Sequence, residues 1–327
     1  MGESTGIGWT HHTANFWWGC QRVSPGCEHC YAEHLAVVRR KLPVWGPPST
    51  TGRERKKGVW KDVPKWNAAA KADGVRRRMF VSSMADVFEA HPQVAPWRAE
   101  ALDLLADCDG LDVQLLTKRP ENIRAMVPAA WLESWPAHVW VGTTVEDQKR
   151  AEQRIPHLLA VPAAVRFLSC EPLLGRVNLK LGRGGDCRRC GNRYCLNGVH
   201  AEFPKSRLDW VIVGGESGPG ARPCDLAWIR GIVAQCQAAG VSVFVKQLGS
   251  KPVTAMRGSW INELQRHGPD IQQPYGRVAC WACRTEECKL LWPGVPPHVK
   301  RWLPLRDRKG GDMSEWPEDL RVREFPS

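Results

Sequence analysis

The sequence predicts an α/β fold, a partial or near-complete (β/α) TIM-like barrel of six to seven βα units. Three observations carry that prediction. From residue 79 onward, short apolar and β-branched runs recur and stop abruptly at polar residues, the pattern of strands buried on both faces of a parallel sheet. Helix-like stretches separate them at intervals of about one βα unit. Each run ends in residues able to do chemistry, and barrel enzymes build their sites at the C-terminal ends of the strands.

Taken in order, "ANFWWG" (14–19) reads as a short opening strand. Residues 41–78, rich in Pro, Gly, Lys and Arg, read as a long basic loop. "MFVSSMAD" (79–86), "VQLLTKRP" (113–120), "VWVGTTVED" (139–147), "VRFLSCEP" (165–172), "WVIVGGESG" (210–218) and "VSVFVKQLG" (241–249) read as strands with their following turns. Between them, 96–108, 146–160 and 224–240 read as helices, the last with a Gly C-cap. The wide gap before 210 predicts an insertion over 180–206, rich in Cys. The barrel is thus expected over 1–250, with a C-terminal extension over 251–327 that contributes a second Cys knuckle (280–288) and whose Pro-rich tail, 291–327, either wraps the surface or is partly mobile.

The 327 residues are 43% hydrophobic, enough for a sizeable core. No apolar run is long enough to span a bilayer, and the N-terminus lacks the basic-then-apolar order of a secretory signal. A cytoplasmic protein with no membrane association is expected. The formal charge of +12 raises the expectation of a polyanionic partner. Most of the 17 tryptophans are expected in packing. Neither a nucleophile elbow nor an H-E-x-x-H motif is present, which argues against a hydrolase.

Thirteen cysteines occur in clusters, which in a chain of this size points to metal or redox chemistry. Cys20, Cys27 and Cys30 form C-x6-C-x2-C beside a Ser-Pro-Gly turn. They are open to three readings: buried thiols, a zinc site completed by His29 or His34, or an iron–sulfur cluster with one iron left open. "CRRCGNRYC" and "CWACRTEEC" repeat C-x2-C-x4-C. Cys187, Cys190, Cys195, Cys280, Cys283 and Cys288 are therefore candidates for a second metal, either zinc or an auxiliary Fe–S cluster. Cys108, Cys170, Cys224 and Cys236 read as buried small apolar residues.

"GCQRVSPGCEHCYAE", "LLTKRPEN", "WVGTTVEDQ", "FLSCEPLLG", "VIVGGESGPGARP" and "FVKQLG" resemble a family of phage and bacterial proteins of unassigned function with a three-Cys motif. That family is a divergent branch of the radical S-adenosylmethionine (SAM) superfamily, distantly similar to spore photoproduct lyase. The first cysteine interval is longer than the usual superfamily spacing. The resemblance implies that Cys20, Cys27 and Cys30 hold a [4Fe–4S] cluster whose open iron takes SAM. It places Ser83 and Asp86 toward the SAM amino group, and Gly214, Gly215 and Glu216 toward ribose or adenine. Thr143 and Glu146 are further cofactor candidates at a strand end, and Lys118, Arg119 and Glu171 are catalytic candidates. Glu171 is equally readable as a salt-bridge partner of Lys118 or Arg119.

The expected activity is hydrogen abstraction from a modified pyrimidine in phage DNA or its nucleotide, followed by rearrangement or C–C or C–N bond formation. An electron donor such as flavodoxin or ferredoxin is implied. The alternatives are a DNA-lesion lyase with the same cofactor and a non-catalytic zinc-containing nucleic-acid-binding module.

Overall fold

A computed structural model describes residues 5–181, 208–255, 279–280 and 299–326. Seven strands form one all-parallel sheet in sequence order: β1 (His12–Ala14), β2 (Arg77–Val81), β3 (Leu111–Thr117), β4 (Val139–Thr144), β5 (Arg166–Cys170), β6 (Trp210–Gly214) and β7 (Ser242–Gln247). The sheet curls into a half-barrel flanked by helices, so the predicted architecture holds. Four helices serve as crossovers: α1 (Val59–Asp73), α2 (Val94–Ala106), α3 (Gln148–Leu159) and α4 (Leu226–Ala239). Asp147 and Asp225 cap α3 and α4 by accepting the backbone N–H of Arg150 and Ala227. Gly240, at φ 66°, ends α4 in the left-handed conformation that glycine enters most easily.

Two sequence readings need correction. The opening barrel strand is His12–Ala14; Trp17–Trp18 instead pairs with Glu54–Arg55 in a separate antiparallel ribbon. Residues 41–78 are not one long loop, because α1 occupies 59–73 as the crossover between β1 and β2. Val63, Trp66 and Ala70 bury its inner face. The Pro/Lys/Arg composition masked this helix, yet Pro64 is tolerated in its second turn.

Period-two alternation divides each strand between two cores. Met79 and Val81, Leu111, Val113 and Leu115, Val139 and Val141, Leu168 and Cys170 face the helices in one large cluster. Phe80, Trp140, Phe167, Trp210 and Phe244 face the other way, meeting Trp9 in a second cluster. Ring centroids there lie 4.7 Å apart for Trp9–Phe80 and 5.8 Å for Phe167–Trp210. One end of the half-barrel is thus filled with aromatic rings. The opposite end, at the strand C-termini, stays open.

The described residues 299–326 of the extension run along the barrel. Val322 O accepts the Val245 N–H, Glu324 donates its N–H to Val243 O, and Gly310 O accepts from Leu248. These bonds occupy the outer edge of β7, which would otherwise be an unpaired strand edge. Trp316 and Leu320 are buried beneath this strap. Cys108, Cys170, Cys224 and Cys236 are buried thiols, as predicted. No helix among the described residues is long and apolar enough to cross a membrane.

Candidate functional site

On four of the strands, the residue two beyond an inward-facing apolar side chain is polar. Phe80 is followed by Ser82, Leu116 by Lys118, Phe167 by Ser169 and Phe244 by Lys246; on β4, Thr144 takes the equivalent place above Trp140. These polar residues ring a cavity of about 230 Å³ whose floor includes Trp9, Phe80 and Leu116. Cys20, Cys27 and Cys30 line its other side, and all three are free thiols.

The cysteine loop is pinned from several directions. Ser24 Oγ donates to Glu146 Oε1 at 2.5 Å, and Glu146 also pairs with Arg154 Nη1 at 2.7 Å. Gly26 lies directly on that carboxylate: a Cβ there would come within 2.5 Å of Glu146 Cγ and Oε1. Only glycine permits so close an approach. His29 Nδ1 sits 3.1 Å from Glu216 Oε2, and Glu216 takes three further bonds from Arg222. Burial opposes ionisation of Glu216, but the hydrogen bonds from Arg222 and His29 prevail and hold it below the ordinary range. Tyr31 Oη donates to Ser83 O at 2.9 Å, closing the loop onto the end of β2.

Behind the thiols lies a buried charge network. Asp86 accepts from Phe88 N, Thr117 Oγ1, Lys118 N and Arg119 Nη1 at 2.6–3.0 Å. Arg119 reaches Gln21 O at 2.8 Å and lies 3.7 Å from Cys20 Sγ. Arg53 forks onto Glu89 at 2.8 and 2.9 Å and donates to the carbonyls of Val44, Gly46, Thr51 and Gly52. That pair is fully desolvated and fixes the 44–53 segment against β2's following turn. Arg55 pairs with Glu100, and Lys56 pairs with Glu54 while sitting over the Trp18 ring. Of the basic 53–61 stretch, Arg53, Arg55 and Lys56 are thus paired within the chain, while Lys57 and Lys61 are exposed.

These contacts revise the sequence assignments. Cys20, Cys27, Cys30, Ser83, Asp86, Lys118, Arg119, Glu171, Gly215 and Glu216 all line the cavity. Asp86, however, has its carboxylate taken up by four protein donors, and so it braces the site. Thr143 faces away, its hydroxyl donating to Thr117 O, and Thr144 lines the cavity in its place. Glu146 sits beneath the cysteine loop as its anchor. Gly214 and Gly215 pack against the turn after β7, where a Cβ on Gly215 would come 2.3 Å from Leu248 O. Glu171 pairs with Lys246 at 2.7 Å and accepts from Gln247, not with Lys118 or Arg119. Sequence reasoning missed Ser82, Thr144 and Ser169, which counting by two from Phe80, Trp140 and Phe167 identifies. Of the second cysteine group, Cys187, Cys190, Cys195, Cys283 and Cys288 lie outside the described residues. Cys280 is described only in its backbone pairing with Val299.

Burial pushes the Cys20 thiol up to about 12, reinforced by Asp86 and opposed by Arg119. Cys30 is likewise raised by burial, against the N–H of Glu33, the charge of Lys118 and the N–H of Ala32. Thiols so placed stay protonated at neutral pH unless a cation binds them, and a coordinated thiol is deprotonated outright. Among the described residues, no group of three or more His, Cys, Asp or Glu side chains is disposed to hold a metal ion. His29 meets Glu216 through Nδ1, the carboxylate contact that orients a histidine for ligation through Nε2. The three thiols therefore suit either an iron–sulfur cluster or a zinc ion completed by His29.

A family model described as a protein of unknown function, DUF5131, matches residues 4–274. No curated protein and no solved structure matches the chain.

Proposed function

We propose that this chain, which belongs to the DUF5131 family, is an enzyme of the radical SAM kind. The observation that carries the reading is the meeting of three free thiols from one braced loop with a polar cavity at the C-terminal mouth of a parallel half-barrel. Cys20, Cys27 and Cys30 would hold a [4Fe–4S] cluster. When SAM is bound there, such a cluster supplies one-electron cleavage to methionine and a 5′-deoxyadenosyl radical able to take a hydrogen atom from a substrate.

The chain's own residues have definable parts in this. Arg119, within 3.7 Å of Cys20 Sγ, places positive charge beside one thiolate and holds the loop through Gln21 O. Arg222 and His29 take up the Glu216 carboxylate with four contacts, so that it ties the cysteine loop to the end of β6 at the cavity wall. Lys246 and Gln247 fix Glu171 against the far side. The aromatic floor excludes water from below, so a reactive intermediate meets only what the cavity admits. The electron is expected from a flavodoxin- or ferredoxin-type donor.

Anaerobic purification tests the proposal. Brown protein with about four irons per chain, lost on replacing Cys20, Cys27 and Cys30 with Ala, and dithionite-dependent release of 5′-deoxyadenosine are the expected results. Colourless protein holding stoichiometric zinc at these thiols would replace it with a non-catalytic metal-binding module.

A further inference from the structure

Outside the cavity, exposed apolar surface and unpaired positive charge fall in the same place. Of the five large hydrophobic residues exposed among the described residues, four belong to the cysteine loop and the helical turns Tyr31–Glu33 and His34–Arg39 that follow it: Val23, Tyr31, Val37 and Val38. Ala32 and Ala36 bury the inner side of those turns in a small cluster with Trp18, Val44 and Met84. Val37 and Val38 stay on the outer side, 37% and 51% exposed, where the chain's own packing gives them nothing to cover.

Cations surround the two valines. Arg39, Arg40 and Lys41 follow directly and are exposed. Arg40 and Leu42 share the wall of a second cavity, about 520 Å³, with Lys56, Val59, Asp62 and Trp66, so the end of the helical turns and the start of α1 form one face. Lys57, Lys61 and Lys65 are exposed along the same stretch of α1 and its approach. Among the described residues, none of these six pairs with a carboxylate, whereas Arg53, Arg55, Lys56 and Lys71 nearby all do. Asp62 is the single carboxylate lining that cavity.

We propose that this face docks an acidic electron-carrier protein of the flavodoxin type, which reduces the metal centre at the neighbouring cysteines. An apolar centre inside a charged rim is the anatomy of a protein interface. Nucleic-acid-binding surfaces are polar and positive throughout, so the exposed valines favour a protein. The sign of the rim calls for an acidic partner, and the apolar dimethylbenzene edge of a flavin suits Val37 and Val38. Position completes the argument. The helical turns start directly after Cys30, and at no more than about 1.5 Å per residue Val38 lies within about 12 Å of it along the axis. The carrier loses one electron, the centre gains it, and no bond forms or breaks. The radical SAM reading supplies the need for that electron, and the choice of partner rests on it; the exposed surface does not.

The test is calorimetric titration of the full-length protein, metal-free and iron-loaded under anaerobic conditions. The probes are an acidic bacterial flavodoxin, a [2Fe–2S] ferredoxin and a single-stranded DNA oligonucleotide. Flavodoxin is expected to bind both forms, and more weakly as ionic strength rises. A triple variant (Arg39→Glu, Arg40→Glu, Lys41→Glu) and a double variant (Lys57→Glu, Lys61→Glu) should each weaken binding by about tenfold or more. They alter separate elements, so the failure of one to fold leaves the other as the test. Val37→Ser combined with Val38→Ser should cost several-fold, and Lys149→Glu, exposed on α3, should change nothing. In loaded protein, flavodoxin-driven release of 5′-deoxyadenosine should fall in the charge variants while the dithionite-driven rate holds.

No flavodoxin binding, binding that neither charge variant weakens, or tighter binding of the ferredoxin or the oligonucleotide at this face would each overturn the proposal. Flavodoxin binding by metal-free protein upholds the surface even if SAM is never cleaved. Dithionite-driven SAM cleavage without flavodoxin binding leaves the enzyme reading standing, so the two fail separately.

Discussion

Asp86 offers the sharpest test of the difference between bracing a site and touching a ligand. Replacing it with Asn keeps the shape but leaves one acceptor oxygen where there were two. If that oxygen keeps Phe88 N and Thr117 Oγ1, the new amide points its own N–H groups at Lys118 N and the Arg119 guanidinium. The lost charge-assisted bond is worth about 1.5–3 kcal/mol, and an unsatisfied buried N–H adds about 1–3 kcal/mol. Their sum agrees with the 3–5 kcal/mol typical of breaking a buried ion pair from one side. The desolvated setting justifies that scale, since the Asp86 and Arg119 side chains are 7% and 9% exposed. Urea unfolding followed by tryptophan fluorescence should show Asp86→Asn about 3–5 kcal/mol less stable, through a lower midpoint with an unchanged slope. A loss below about 1 kcal/mol, together with abolished SAM binding, would refute the reasoning and return Asp86 to the role of cofactor ligand.

Three further outcomes follow from the same geometry. Gly26→Ala forces a methyl group against the fully buried Glu146 carboxylate; it should cost about 1–3 kcal/mol and lower iron content after anaerobic reconstitution, with far-ultraviolet circular dichroism unchanged. Glu216, held below the ordinary carboxylate range by Arg222 and His29, contributes stability that is fully present above its unfolded pKa of about 4.3 and is lost as pH falls through its lower folded value. The stability gap between wild type and Glu216→Gln should therefore be constant near neutrality and close only below that unfolded value, as followed by urea midpoints across pH. Trp316→Ala removes a side chain 2% exposed and should cost about 3–5 kcal/mol, with faster hydrogen exchange at Val245 and Leu248, whose acceptors lie on the strap.

The fold was legible because parallel strands buried on both faces leave continuous apolar runs, and six such runs matched β2 to β7. The opening strand was displaced because Phe16, Trp17 and Trp18 outweighed the less apolar "HTA" in a reading based on hydrophobicity. Helix α1 was hidden by lysines on its solvent face and by Pro64. At the site, the cysteines and strand-end residues were legible as types. Their roles were not, because sequence spacing does not show which carboxylates the protein itself has consumed. Asp86, Glu146 and Glu171 all sit where a ligand-binding acid was expected. Each instead spends its charge on Arg119, Arg154 or Lys246.

That consumption of acids explains how a chain this basic builds a cavity with a defined electrostatic character. Arg22, Arg119, Arg154, Arg222 and Lys246 each pair with a carboxylate, and the cysteine loop is tied to the ends of β2, β4 and β6 through Tyr31–Ser83, Ser24–Glu146 and His29–Glu216. Formal charge therefore says little about what the cavity binds. A loop held by three different strand ends is positioned before any ligand arrives, so binding energy need not be used to order it. Preorganised donors in a partly desolvated cavity also act at low reorganisation cost on a charge that enters it.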